Sequence, residues 1–156
     1  MLINIVLVEP EIPPNTGNIA RSCAATGSAL HLIEPLGFKI DDSQVKRAGL
    51  DYWKHVNLTV HKSLSDFLEL YKEEKLFFAT TKGKIRYTDV DYGEDCFILF
   101  GKETKGLPED LIKANPETSI RIPMGKDKDL RSLNLSNSVN IVLYEALRQM
   151  DFKGLY

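Results

Sequence analysis

The sequence has few cysteines and histidines, which narrows the kinds of site it can hold. Its two cysteines, Cys23 and Cys96, are far apart and lie in apolar surroundings. Small secreted scaffolds use more cysteines, and zinc sites need closely spaced ligands. The three histidines, His31, His55 and His61, also lack the spacing of metal ligands. We therefore expect buried thiols in a reducing compartment and no metal site.

The chain also lacks a positive charge excess and a long apolar run. Lys plus Arg is 20 against 22 Asp plus Glu, so the net charge of −2 argues against a histone-like nucleic-acid binder. A local basic patch for RNA stays possible. The opening MLINIVLVEP has neither the basic segment nor the cleavage site of a secretory signal, and no run approaches the ~20 residues that cross a bilayer. We expect a cytoplasmic protein without a membrane partner.

Length and patterning predict one α/β domain over residues 1–156. The 43% hydrophobic and 27% charged residues are typical of a globular protein, and there is no repeat or linker. Short, nearly continuous apolar runs favour strands buried on both faces, as in a mostly parallel sheet flanked by helices. The predicted strands are residues 2–8, 29–33, 56–60, 76–80, 96–100 and 119–122.

Helix signals lie between the predicted strands. Asn15 or Thr16 is expected to cap a helix that ends at Gly27, and Ser63 opens a capping-box pattern. Pro108 is typical of the first turn of a short helix. The last helix carries an apolar stripe at helical spacing, formed by Val139, Val142, Leu143, Ala146, Leu147 and Met150.

The first segment that packing does not explain, residues 13–21, follows the first predicted strand. A rigid turn with a helix cap accounts for its two prolines and Asn15. It accounts less well for Arg21, which would lie near the middle of the helix beside small residues. A guanidinium in such surroundings is a ready fork for a phosphate, so Arg21 is a candidate functional residue.

The second segment, residues 100–108, begins at the end of a buried strand. In open α/β sheets, ligands bind beyond the carboxyl ends of the strands. Gly101 allows close approach of the backbone to a ligand, while Gly106 and Pro108 shape the turn into the next helix. The Lys-Ser/Thr of a phosphate loop is missing. Glu103, between two lysines, is the candidate functional residue.

The third segment, residues 122–138, contains a strand end, a long loop and the start of the last helix. A structural explanation needs only Ser136 or Asn137 as the helix cap. The density of hydrogen-bonding groups is greater than one cap requires, and a polar ligand would explain it. These groups belong to Ser132, Asn134, Ser136, Asn137 and Ser138.

Basic side chains gather in two stretches, and a mixed solvated surface is the alternative to a phosphate-binding role for each. They are Lys82, Lys84 and Arg86, and then Arg121, Lys126, Lys128 and Arg131. Acidic side chains concentrate in residues 89–95, so the near-neutral total can conceal basic loops.

Together the three segments resemble the motifs of the SPOUT class of RNA methyltransferases, in its SpoU (TrmH-like) branch. The matching patterns are Asn15-x-Gly17-x-x-x-Arg21, Phe100-Gly-x-Glu103-x-x-Gly106-Leu107, and Ile122-Pro-Met124 followed by Ser132-Leu-Asn134-Leu-Ser-Asn-Ser138. Order and spacing match across essentially the whole chain. Residues 8–15 and 47–52 resemble the short members of this branch, which methylate the ribose 2′-oxygen of the wobble nucleotide in leucine tRNAs.

The resemblance implies features that the residue pattern does not show. It implies a SPOUT α/β-knot, with a C-terminal trefoil knot that general folding rules would exclude. It also implies an obligate homodimer, a tRNA substrate, and S-adenosyl-L-methionine as cofactor. We expect the helices around residues 19–25 and 139–150 to meet their counterparts. Tyr144 is expected in the core or at this interface, and direct contact with the substrate is the alternative. The implied cofactor-binding residues are Ala79, Thr80, Gly101, Ile122, Ser132 and Leu133.

The implied reaction is displacement at a sulfonium methyl group by a ribose 2′-hydroxyl, with Arg21, Asn15, Glu103 and Asn134 as the catalytic residues. Because a guanidinium stays protonated, we interpret Arg21 as holding phosphate and ribose and stabilising developing alkoxide charge. Asn15 and Glu103 would position it, and Ser132 with Asn134 would order the site.

Two alternatives stay open from the sequence. The first keeps the 2′-O-methyltransferase activity but places it on another RNA, such as ribosomal RNA, because no residue is seen to recognise a base. The second is a flavodoxin-like nucleotide-binding module without catalytic activity.

Overall fold

Strands and helices alternate along the chain in a computed structural model that describes residues 2–48 and 52–156. The strands are β1 Asn4–Val8, β2 Ala29–Ile33, β3 Asn57–His61, β4 Leu76–Ala79, β5 Ile85–Arg86, β6 Phe97–Phe100 and β7 Ser119–Arg121. The helices are α1 Pro13–Thr26, α2 Ser43–Ala48, α3 Leu64–Leu70, α4 Glu109–Ala114 and α5 Leu135–Gln149, with a 3₁₀ turn at Trp53–His55. Within the 47–52 stretch, residues 49–51 lie outside the described residues.

The seven strands of the described residues form one sheet in the order β3-β2-β1-β6-β4-β7-β5, and each pair of neighbouring strands is parallel. The predicted α/β architecture is confirmed. β1 shows why its sequence is continuously apolar. Ile5 and Leu7 pack in a core with α1 and α5, while Val6 and Val8 pack in a second core with α3 and α4. The trefoil knot stays a prediction.

The start of α1 differs from the sequence expectation. The helix begins at Pro13 with Ile12 as its N-cap residue, so the predicted caps, Asn15 and Thr16, are wrong. Proline is well suited to the first turn because it lacks the N–H that would be unpaired there. Gly27 ends the helix at φ +69°, as predicted. Asn15 and Thr16 therefore lie inside α1, where both are buried.

The start of α5 also differs, whereas its buried face is as predicted. Asn134 is the N-cap residue, and its Oδ1 accepts hydrogen bonds from the backbone N–H groups of Ser136 and Asn137 at 2.9 and 3.4 Å. The expectation that Ser136 or Asn137 caps the helix was wrong. Five of the six stripe residues are buried, namely Val139, Val142, Leu143, Ala146 and Leu147.

The shorter helices agree with their signals. The Ser63 hydroxyl accepts from the backbone N–H of Asp66 at 3.0 Å, which confirms the predicted cap of α3. Pro108 is the N-cap residue of α4. No helix in residues 2–48 or 52–156 has the length and apolar character needed to cross a membrane.

A buried chain of hydrogen bonds links β1, β2 and β3 through two histidines. His31 Nδ1 lies 2.9 Å from His61 Nε2, and His31 Nε2 lies 3.2 Å from Asn4 Oδ1. The amide of Asn4 donates to the carbonyl of Cys96, which directs its oxygen to His31. Neutral His31 therefore donates from Nε2 and accepts from His61 at Nδ1. Burial lowers the pKa of His31 to about 4, helped by the facing His61, and burial also lowers the pKa of His61.

The lowered pKa of His31 predicts a loss of stability in mild acid. In the unfolded state this histidine takes up a proton near pH 6.5, whereas in the folded state it does so only near pH 4. The free energy of unfolding therefore decreases as the pH is lowered from about 6.5 to about 4. We expect His31→Gln to make this slope shallower by about 1.4 kcal/mol per pH unit, the value for one proton. Urea denaturation between these pH values measures it. His55→Gln, at an exposed histidine, should leave the slope unchanged; an unchanged slope in His31→Gln would contradict the assignment.

Candidate active site

A pocket of about 490 Å³ lies at the carboxyl ends of β4, β6 and β7. In the sheet, β2 and β3 lie on one side of β1, and the four later strands lie on its other side. The pocket is therefore next to the point where the strand order reverses, which is the usual ligand site of such sheets. Parts of all three segments singled out in the sequence line it.

All six predicted cofactor-binding residues line this pocket. They are Ala79, Thr80, Gly101, Ile122, Ser132 and Leu133. Sequence reasoning did not select Tyr87, Leu135 or Val142, which also line it. Val142 was assigned to the core stripe of α5, and it serves both the core and the pocket wall. Tyr87 follows the two-residue strand β5, which has too short an apolar pattern to be predicted.

The second segment folds back on itself at Gly101. A Cβ atom at this position would lie 2.0 Å from the carbonyl carbon of Gly106 and 2.1 Å from the nitrogen of Leu107. Gly106 has φ +69°, and its N–H donates to the carbonyl of Lys102 at 2.8 Å. The closed shape of this pocket wall thus depends on a missing side chain at Gly101 and a left-handed residue at Gly106.

The carboxylate of Glu103 binds the start of α1. Its Oε2 accepts from the backbone N–H of Glu11 at 2.8 Å, and its Oε1 accepts from that of Ile12 at 3.0 Å and from Asn15 Nδ2 at 3.3 Å. Ile12 has no side-chain cap of its own, so Glu103 supplies the negative charge and the acceptors that a helix N-terminus favours. This carboxylate holds the segments together and does not point to acid–base chemistry.

Asn15 continues this network to the third segment. Its Oδ1 accepts from Asn134 Nδ2 at 3.1 Å, and Asn134 Oδ1 accepts from the hydroxyl of Ser136. Glu103, Asn15 and Asn134 therefore form one continuous chain of hydrogen bonds, and all three line the pocket. The three sequence segments are brought together as predicted.

Glu11 makes the reverse connection to the second segment. One oxygen of its carboxylate accepts from the hydroxyl of Thr104 at 2.7 Å and from the backbone N–H of Thr104 at 3.2 Å. These two hydrogen bonds hold the pKa of the Glu11 carboxyl below its usual value. Lys102 pairs with Glu9 at 3.2 Å. The side chains of each strand-end loop thus bind the other loop, and sequence reasoning missed this role of Glu11.

Arg21 does not line the pocket of its own chain. It lies six residues after Asn15, which is about 9 Å further along the axis of α1 and on a different face. Its side chain is exposed, and its guanidinium carbon lies 4.7 Å from the centre of the Tyr52 ring. The structure thus brings together three of the four predicted catalytic residues and leaves Arg21 apart.

The basic stretches contribute to the pocket rim. Lys82, Arg121 and Arg131 line the pocket, together with Lys102 and Lys105. Two of the basic side chains are paired, since Lys82 contacts Glu109 and Arg86 contacts Asp89 at 2.8 Å. The expected separation of basic and acidic stretches is therefore incomplete. Within the described part of the chain, no cluster of three side chains that could hold a metal ion is found.

Tyr144 is 49% exposed on α5, outside the monomer core, and Ile141 is 36% exposed beside it. α1 packs against α5. The two helices expected at the dimer interface are therefore adjacent, with apolar side chains of α5 at the surface.

Comparison with known proteins agrees with this geometry. The profile of the SpoU rRNA Methylase family matches residues 2–144. The tRNA (cytidine(34)-2′-O)-methyltransferase of Escherichia coli K12 is 51% identical over 154 residues, which cover 98% of this chain and 97% of that protein. The chain belongs to the SpoU methylase family.

Solved structures share the fold of this chain. One, described as giving structural insights into 2-OH methylation of C/U34 on tRNA, has a TM-score of 0.91 at 42% identity and covers 97% of this chain and 98% of that one. The SpoU methyltransferase AviRb from Streptomyces viridochromogenes, in complex with AdoMet, shares the fold with a TM-score of 0.85. It is 23% identical, and the match covers 97% of this chain and 61% of AviRb.

Gly101→Ala is expected to weaken ligand binding in the pocket, because the new Cβ would overlap the backbone of residues 106–107 and displace the second segment. We expect at least a tenfold weaker affinity for S-adenosylmethionine, equivalent to about 1.4 kcal/mol, in calorimetric titration. Gly125→Ala is the matched control, since a Cβ there meets nothing within 4 Å. Equal affinity of the two variants would show that the closed loop is not needed.

Proposed function

We propose that this protein transfers a methyl group from S-adenosyl-L-methionine to the ribose 2′-oxygen of the wobble nucleotide, cytidine or uridine 34, of leucine tRNAs in the cytoplasm. The observation that carries the proposal is the convergence of three segments, far apart in sequence, on one pocket joined by Glu103, Asn15 and Asn134. The named activity of the 51% identical Escherichia coli protein supports it.

The pocket suits the proposed cofactor. Its volume of about 490 Å³ is within the range of small-molecule sites. Ile120, Ile122, Leu135 and Val142 supply apolar wall for an adenine ring. The third segment supplies polar groups that include Ser132. When bound, S-adenosyl-L-methionine would supply a methyl group already activated on a sulfonium.

The protein's task is then to orient the 2′-hydroxyl, whose oxygen takes the methyl group as its proton passes to a nearby RNA phosphate or to water. Asn15 and Asn134 are fixed by hydrogen bonds, so they form a preorganised polar wall beside the methyl donor's pocket. Arg21 would bind phosphate and ribose and stabilise the charge that develops on the 2′-oxygen. Lys102, Lys105 and Arg131 on the rim would attract the RNA backbone.

A homodimer would explain the position of Arg21. In its own chain Arg21 lies outside the pocket, on the helix that packs beside α5. Helices α1 and α5 are the proposed dimer surface, with Ile141 and Tyr144 covered by the partner. Arg21 of one protomer would then serve the pocket of the other. The second protomer also supplies RNA-binding surface that a single domain of this size lacks.

The proposed activity is tested by methyl transfer. We expect labelled methyl from S-adenosylmethionine to enter leucine tRNAs and to map to the ribose of nucleotide 34. Transfer to ribosomal RNA with unmodified tRNA would select the alternative substrate. Tight S-adenosylmethionine binding without transfer to any RNA would favour a non-catalytic module, and label on a base would refute the mechanism.

Mixed dimers test whether Arg21 acts across the interface. Arg21→Ala keeps an intact pocket, and Gly101→Ala keeps an intact arginine. Each variant alone should retain only a small residual activity. When they are co-expressed with different tags, we expect about a quarter of the wild-type rate, because half of the dimers are mixed and each has one complete site.

The outcome differs sharply if Arg21 acts within its own chain. No mixed dimer would then contain a complete site, and co-expression would restore nothing. A fully active monomer in sedimentation experiments would likewise contradict the dimer.

A further inference from the structure

Tyr52 is the last residue of the 47–52 stretch, which resembles the short family members. The proposed function gives this stretch no role. It precedes the 3₁₀ turn Trp53–His55, and this turn packs against α1. The Tyr52 side chain is half-buried, and its ring lies against Arg21.

Helix α2 packs closely against the side of α1 that carries Gly17 and Arg21. A Cβ on Gly17 would lie 2.4 Å from Ala48 Cβ and 2.6 Å from the carbonyl oxygen of Val45, so only glycine permits this approach. Arg21 is four residues after Gly17 and therefore lies on the same face of the helix. The side of α1 that receives α2 at Gly17 thus receives Tyr52 one turn later.

The guanidinium of Arg21 contacts the Tyr52 ring, while the Arg21 side chain is exposed to solvent. The guanidinium carbon is 4.7 Å from the ring centre, within the range of a cation–π interaction. A planar guanidinium carries its N–H donors in its own plane, so a guanidinium held with its face on the ring would keep its edge available. Because Arg21 is exposed, this edge can meet a planar or tetrahedral oxygen acceptor.

We propose that Tyr52 is a positioning residue for Arg21, which it holds with its N–H edge presented to phosphate and ribose oxygens of the RNA. This role rests on the proposed function. The aromatic face is what Arg21 uses, and the hydroxyl of Tyr52 is not required. Gly17 contributes to the same arrangement, because it allows α2, which comes just before Tyr52 in the chain, to pack closely against α1.

Three replacements at Tyr52 test whether its role requires an aromatic ring or only a large apolar side chain. We expect Tyr52→Phe and Tyr52→Trp to stay within twofold of the wild-type kcat/KM for tRNA, because both keep an aromatic face. Tyr52→Leu should lose about two- to fivefold, which corresponds to a cation–π contact at an exposed site. Tyr156→Leu, at the exposed chain end, is the matched control and should lose nothing.

Further measurements distinguish positioning from a general loss of the fold. The affinity of Tyr52→Leu for S-adenosylmethionine should equal that of the wild type, because Tyr52 does not line the pocket. Combined with Arg21→Ala, Tyr52→Leu should cause no additional loss of activity. The Arg21 Nε–H resonance should lose its ring-current shift in the leucine variant and keep it in the phenylalanine variant.

The outcomes separate this role from the proposed function. If the wild type is active and Tyr52→Leu keeps its full kcat/KM, the positioning role alone is overturned. Equal losses of kcat/KM in the leucine and phenylalanine variants would have the same meaning. A loss that persists in the Arg21→Ala background would overturn it as well. A wild type that methylates no RNA would overturn the proposed function and this role together.

Discussion

The pocket depends on the way in which the Glu103 carboxylate binds the start of α1. That carboxylate accepts two backbone N–H groups and one side-chain amide from a part of the chain some 90 residues earlier. Without it, the first turn of α1 would have unpaired donors beside the pocket. Asn15 would also lose the partner that directs its oxygen to Asn134. Glu11 returns the connection through Thr104, so the two strand-end loops form one rigid wall.

Much of the fold could be predicted because burial on both faces leaves a simple pattern in the sequence. β1 and β6 are continuously apolar since helices cover each face, and α5 shows its core stripe at helical spacing. The two-residue strand β5 has too little pattern to be found. The start of α1 was misplaced for a different reason. α1 receives its cap from Glu103, and no local pattern around residues 12–16 reveals an acceptor so distant in sequence.

The candidate site was predicted in composition but only partly in arrangement. The motifs selected residues that line one pocket, because glycines and amides at strand ends have few purely structural explanations. The separation of Arg21 from that pocket was missed, although it follows from the rotation of successive residues around α1. The contact between Arg21 and Tyr52 depends in turn on the α2 packing at Gly17. Charge was the weakest guide, because a net value of −2 says nothing about a basic rim.

The hydrogen bonds between Glu103 and the start of α1 also bear on how the protein acquires its site. They close a loop of about 90 residues, and closing a long loop costs chain entropy before any contact repays it. The part of the pocket formed by the third segment, around Ser132–Asn134, comes later still in the chain. During synthesis the pocket therefore cannot exist until most of the polypeptide has emerged. A complete ligand pocket therefore requires residues from nearly the whole length of the chain, from Ile12 to Val142.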